Sequence, residues 1–203
     1  MRFIMERFKR LLGIGPSLEE LIVDLSIYTK QVGRQQKKYA QREDDLKKKA
    51  KKEILEGETI KAKMYMKQSL NAKNASASLD MFVISMENLI FDLKNASSIN
   101  MMGSVMGKIS KTLQKLDLLK TSNISKIMGK VNNQMEKAGF NMEQIFDQIK
   151  DYDPFTITEF SDVDVDKELE KITDEVIAEV PALGLPASKI EELQKKREDL
   201  RNR

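Results

Sequence analysis

Acidic pairs are the side chains here whose type and spacing could do inorganic chemistry: Asp44 with Asp45, and Asp162 with Asp164, could hold a cation. The first pair falls in a strongly charged helical stretch and the second in a polar linker, so solvated surface charge is the reading their surroundings support. The 203 residues include neither His nor Cys. That removes the commonest general base, the thiol nucleophile and the two best transition-metal ligands. It also leaves no material for a disulfide framework or a thiolate zinc site. No Gly-rich phosphate loop or nucleophile motif is present. The expectation is a protein that is not an enzyme, with no catalytic residue, no metal and no cofactor. Energy for any rearrangement must then come from a partner.

The residues suited to binding lie at the two ends. In the opening MRFIMERFKRLL, Met1, Ile4, Met5, Phe8, Leu11 and Leu12 fall within an arc of about 120° on a helix, with Arg2, Glu6, Lys9 and Arg10 opposite. Phe3 breaks the pattern. The segment fits an interfacial helix, with Arg2, Arg7, Lys9 and Arg10 at the headgroups and Ile4, Phe8, Leu11 and Leu12 inserted. It also fits a terminal helix docked on the core, but Gly13, Gly15 and Pro16 detach it from the body and favour the membrane. Basic residues near an anionic surface contribute about 1 kcal/mol each, so one copy should bind weakly and an array strongly.

Positioning these ends requires long helices. Lys, Glu, Leu, Met and Ala dominate, 33% of residues are charged, and there are only 4 Pro and 9 Gly. The pattern Ser17 with Glu20 reads as a capping box, and Leu18, Leu21, Leu25, Tyr28 and Val32 then recur at helical steps as far as about Lys52. Gly57 marks a turn, and a second helix runs from about Thr59 to Asn95 with Leu79, Phe82, Val83, Met86, Leu89, Ile90 and Leu93 on one stripe. Near-equal lengths and a tight turn predict an antiparallel hairpin, residues 17–95. Gly103 and Gly107 predict an elbow or hinge, because each glycine weakens a helix by about 1 kcal/mol. A further amphipathic segment over 122–150 completes a core of residues 17–150. An acidic linker and short helix follow over 151–187, and a final helix over 188–203 opens with Ser188 and Glu191 as a second capping box. The expected fold is all-α, with one core: a long antiparallel helical hairpin, shorter helices packed on it and a C-terminal regulatory tail.

Charge divides the chain. Residues 1–137 hold 26 Lys or Arg against 15 Asp or Glu, a balance of +11, while residues 138–203 hold 9 against 17, a balance of −8. A basic body with an acidic tail reads either as an intramolecular brake or as a solubilising tail. Leu169, Ile172, Val176 and Ile177 share one helical face that could cover apolar residues near the hairpin tip, as a switch or as an ordinary core contact. No apolar run approaches the roughly 20 residues that span a bilayer, and a secretory signal pattern is lacking, so the expected location is cytoplasmic with peripheral membrane association. The run KKKAKK at Lys47–Lys52 and a pI near 8.8 raise nucleic acid as an alternative partner. The absence of Trp and of any recognisable nucleic-acid module places it below a lipid surface. A plain coiled-coil scaffold is a third reading, but the stripes drift and are interrupted at 57, 103, 107 and 139.

The order of these landmarks resembles the ESCRT-III family, and its charged multivesicular body proteins of the late-acting, ATPase-recruiting type. The resemblance rests on the amphipathic start, the basic first helix, KKEILEGETIKAKMYMKQSLNAKN at the tip, MMGSVMGKISKTLQKLD, ISKIMGKVNNQMEK and the terminal LQKKREDLR. It implies a non-enzymatic subunit that polymerises with itself and other ESCRT-III subunits on anionic membranes, remodels, constricts and severs them, and is disassembled by a AAA ATPase. The last helix resembles the MIT-interacting motif that docks on that ATPase, with Leu193, Lys196, Leu200 and Arg201 matching; Arg197 replaces the motif's second leucine, and Ile190 stands where an acidic residue is expected.

Overall fold

In the computed structural model the described residues are 15–117, 124–155, 161–184 and 186–201. Among them the chain forms seven helices and no strand: α1 Gly15–Glu56, α2 Thr59–Asn95, α3 Ile99–Asp117, α4 Ile124–Lys137, α5 Met142–Gln148, α6 Asp162–Glu179 and α7 Ala187–Arg201. The all-α expectation holds. The opening segment over residues 1–12, with its interfacial-helix reading, lies outside the described residues.

The turn between α1 and α2 forms where the sequence places it, because Gly57 adopts φ +87°, which a side chain would disfavour. Its N–H donates to the Ile54 carbonyl at 3.1 Å and the Glu58 N–H donates to that of Glu53 at 2.8 Å. This pair of bonds satisfies carbonyls that the end of α1 would otherwise leave open. Gly139 closes α4 in the same way, with Phe140 N–H reaching the Met135 carbonyl at 3.0 Å.

Packing divides the chain into two compact units, where one core was expected. The first comprises Met1–Gln36 and Ala77–Thr156, the second Lys37–Ser76 and Ile157–Arg203. The reason is length: α1 has 42 residues and α2 has 37, more than one set of covering helices can bury. Amphipathic helices gain most of their stability from such covering, so separate stretches need separate covers.

In the first unit, Leu21 and Leu25 of α1 and Leu79, Phe82 and Met86 of α2 are buried, as their stripes predict. Tyr28 meets Phe82 edge-on with centroids 6.2 Å apart. Helices α3 to α5 supply the cover. The break between α2 and α3 falls at residues 96–98 and not at the glycines. Ser98 causes it: its Oγ accepts from Met101 N–H at 3.2 Å and so caps a new helix start. Gly103 and Gly107 lie inside α3, a correction to the expected hinge position. Their missing side chains make room for neighbours. A Cβ on Gly103 would sit 2.9 Å from Phe140, and one on Gly107 would collide with Ile145 and stand 3.0 Å from Ile149.

The linker expected to begin at 151 also starts later. Phe155 is buried edge-on against Phe82 at 6.5 Å, and Tyr152 Oη lies 3.0 Å from Ser85 Oγ and 3.2 Å from Thr112 Oγ1. Lys111 Nζ donates to the Ile149 and Lys150 carbonyls, and Lys115 pairs with Asp153. Residues 149–155 are therefore a packed strap of the first unit.

Candidate functional site

The second unit brings together most of the C-terminal residues that the sequence singles out. Helix α6 starts from a capping box formed by Ser161 and Asp164. Ser161 Oγ accepts from the Asp164 N–H at 3.3 Å and the Asp164 carboxylate accepts from the Ser161 N–H at 2.9 Å. The short Asp replaces the usual Glu, which is why the pattern is hard to see in the sequence. Asp164 is thus a cap and not half of a cation pair. Among the described residues no group of three or more acidic side chains is arranged to hold a metal ion.

From this start, α6 turns Leu169, Ile172 and Val176 into the unit's core, with Ile177 partly buried beside them. The surface they cover is the hairpin tip: Ala50 and Ile54 from α1, Ala62, Met66 and Leu70 from α2. Two alanines on facing helices allow close approach, and the longer side chains fill the remaining space. Val165 and Val180 extend the same face at both ends. Helical spacing from Leu169 is the signal that would have found them.

Ion pairs border this apolar seam on the expected sign. Lys51 of α1 reaches Glu179 at 2.8 Å and Glu175 at 3.1 Å. Lys63 of α2 reaches Asp166 at 2.7 Å, and Lys67 reaches Asp162 at 2.9 Å. The four-residue step between the lysines matches that between the aspartates, so two antiparallel helices meet in register. Four-residue steps between like charges recur along the chain, as at Lys47 and Lys51 or Glu175 and Glu179, so the spacing alone does not single these partners out. The hydrogen bond to Glu179, more than any other cause, raises the Lys51 ammonium above its ordinary value. Lys67 holds the Asp162 carboxyl below its own. The Lys51 and Lys67 pairs each have a carboxylate more than half exposed and are screened by salt, while the Lys63–Asp166 pair is largely covered; apolar burial provides most of the attraction.

Helix α7 lies on the same surface. Leu193 is fully buried in the tip core with Ile190 packed against it. Lys196 Nζ donates to the Gly57 carbonyl at 3.1 Å and pairs with Glu192 at 2.9 Å. Lys189 and Lys196 together hold the Glu192 carboxyl down at about 2. Arg197 pairs with Asp174 of α6 at 2.8 Å, which raises the guanidinium still further. Leu193, Lys196 and Arg197, three of the residues singled out by the resemblance to an ATPase-docking motif, are thus engaged within the chain. The side chains of Leu200 and Arg201 lie outside the described residues. Helix α7 begins at Ala187, so Ser188 falls inside its first turn and not at the cap.

The remaining sequence-predicted residues do not join this site. Gly103 and Gly107 belong to the first unit. Arg2, Ile4, Arg7, Phe8, Lys9, Arg10, Leu11 and Leu12 lie outside the described residues.

A family model described as Snf7 matches residues 20–193, which takes in α2 to α6 whole and most of α1. No curated protein and no solved structure matches the chain.

Proposed function

The chain belongs to the Snf7 family, the ESCRT-III proteins, with the membrane-remodelling role that membership carries, and from it we propose a filament subunit braked by its own tail. It polymerises with itself and with other ESCRT-III subunits on anionic membranes, constricts and severs them, and is itself no enzyme. Helix α6 is the brake. The observation that carries this reading is the cover on the tip, where Leu169, Ile172 and Val176 bury Ile54, Met66 and Leu70 between matched ion pairs. A tip relieved of that cover has an apolar surface to satisfy, and neighbouring subunits are the available partners.

Helix α7 recruits the AAA ATPase through Leu193, Lys196, Arg197, Leu200 and Arg201. Leu193 and Lys196 are occupied on the tip, so the ATPase competes with the closed form, and opening and recruitment favour one another. Membrane attachment is peripheral and cytoplasmic, through the basic amphipathic residues 1–12. No described helix is long and apolar enough to cross a bilayer. Single copies bind weakly and arrays strongly, which couples attachment to assembly.

Negative-stain microscopy of the full chain and of residues 1–160, with and without anionic liposomes, tests the brake. Shortened chains should assemble at lower concentration, and equal behaviour of the two would remove it. Flotation of Phe8→Asp tests the anchor: undiminished liposome binding would end that part.

A further inference from the structure

The break between α2 and α3, residues 96–98, reads Ala-Ser-Ser and contains neither proline nor glycine. Local propensity therefore allows one uninterrupted helix there, and the Ser98 cap that marks the bend is a single exposed hydrogen bond. Contacts elsewhere must hold the bend. In a straight helix Ser85 and Thr112, 27 positions apart, would be separated by roughly 40 Å. In the folded chain both hydroxyls lie within hydrogen-bond reach of one atom, Tyr152 Oη, at 3.0 and 3.2 Å. That pair of bonds exists only while α3 is folded back on α2.

The rest of the strap, residues 149–155, repeats this double grip. Phe155 is buried against Phe82 of α2, and Lys115 Nζ of α3 stands 5.3 Å from its ring centroid. Ile149 is buried where Gly107 of α3 leaves room. Lys108, Lys111 and Lys115 follow one another at helical steps and form a row on α3. Each of them holds the strap: Lys108 lies over the Tyr152 ring at 5.6 Å, Lys111 donates to the Ile149 and Lys150 carbonyls, and Lys115 pairs with Asp153. The hydrogen bond from Lys115 is the largest cause that holds the Asp153 carboxyl below its ordinary value.

This grip is broad but shallow. The strap buries two whole side chains, Ile149 and Phe155; Tyr152 is half-buried, and Lys150, Asp151 and Asp153 are exposed. Segments with so few buried apolar contacts open locally while the body stays folded.

We propose that residues 149–155 are a latch that keeps α3 folded back on α2, separate from the α6 cover on the tip. Its release removes the shared Tyr152 bonds and the Phe155 ring together, and lets the bend at 96–98 straighten into one helix. The inference rests on the braked-filament reading and gives that subunit a second fastening, one that loss of the tip cover leaves in place.

The chain has no cysteine, so N88C on α2 and Q114C on α3, both at exposed positions, can be spin-labelled without background. Label separations are measured by pulsed electron paramagnetic resonance on the full chain in solution, with and without L169A, and with the strap intact, F155A or Y152F. A straightened α2–α3 sets the two positions roughly 39 Å apart. L169A with an intact strap should keep the short separation. Adding F155A should raise the ratio of long to short separations about tenfold or more. Y152F keeps the ring and drops only the shared hydroxyl, and should raise it about threefold; it decides the matter if circular dichroism shows that F155A does not fold. On phosphatidylserine/phosphatidylcholine vesicles the concentration at which filaments first appear should fall by similar factors with and without L169A, because separate fastenings add in free energy. Separations unchanged by the strap variants, or already long in L169A alone, overturn the latch. So does a lowered melting temperature with the short separation kept, which would make the strap packing and nothing more. If no chain forms filaments the filament reading fails, and the separations still decide the latch.

Discussion

Leu169 is the residue on which the tail's hold on the tip is most directly measured. It is fully buried among Ala50, Ile54, Met66 and Leu70, and replacing such a leucine with alanine costs about 2–5 kcal/mol. Leu169→Ala should therefore lower the concentration needed for assembly on vesicles, read by sedimentation, and leave the melting of the first unit unaltered. The neighbouring charges act through pH. Glu192 is held at about 2 against an ordinary 4.5, so its contribution is complete above 4.5 and is lost as pH falls toward 2. Lys51 is shifted upward, so its contribution is complete below 10.5 and is lost only as pH climbs past that value. The helical thermal midpoint should fall as pH is lowered through that acidic window, and Glu192→Gln should flatten part of the fall. Circular dichroism measures both. Leu169, Ile172, Val176 and Ile177 were legible in sequence because a helical period is visible in any one helix. The lysines and carboxylates that face one another were not, since each is an ordinary polar residue until its partner 95 to 128 positions away is known.

At the scale of elements, the hairpin turn was readable because a glycine with positive φ is a local requirement, met by Gly57 itself. The elbow was misplaced for an equally physical reason. Helix propensity penalises Gly103 and Gly107, but packing overrides it, and the cap at Ser98 sets the break instead. Gly107→Ala separates the two accounts. Intrinsic propensity favours alanine by about 1 kcal/mol, whereas the collision with Ile145 and Ile149 costs about 1–3 kcal/mol. The thermal midpoint of the first unit should drop, and a rise would restore the glycines as points of weakness. The strap was missed because its acidic composition resembles a linker. Its anchors, Tyr152 and Phe155, are single aromatics without a period.

For the whole molecule, the family was legible in the order of its landmarks, while the division into two cores was not, because one long helix reads the same whether one cover lies on it or two. That division also orders events in time. The tip of the hairpin, ending near Leu70, is translated some 110 residues before Val180. At roughly 5–20 residues per second this interval lasts about 5–20 s. A nascent chain therefore makes Ile54, Met66 and Leu70 well before Leu169, Ile172 and Val176, which cover them in the folded chain. The covered form is the later one, and on crowded polysomes the newborn hairpins of neighbouring ribosomes are one another's first company.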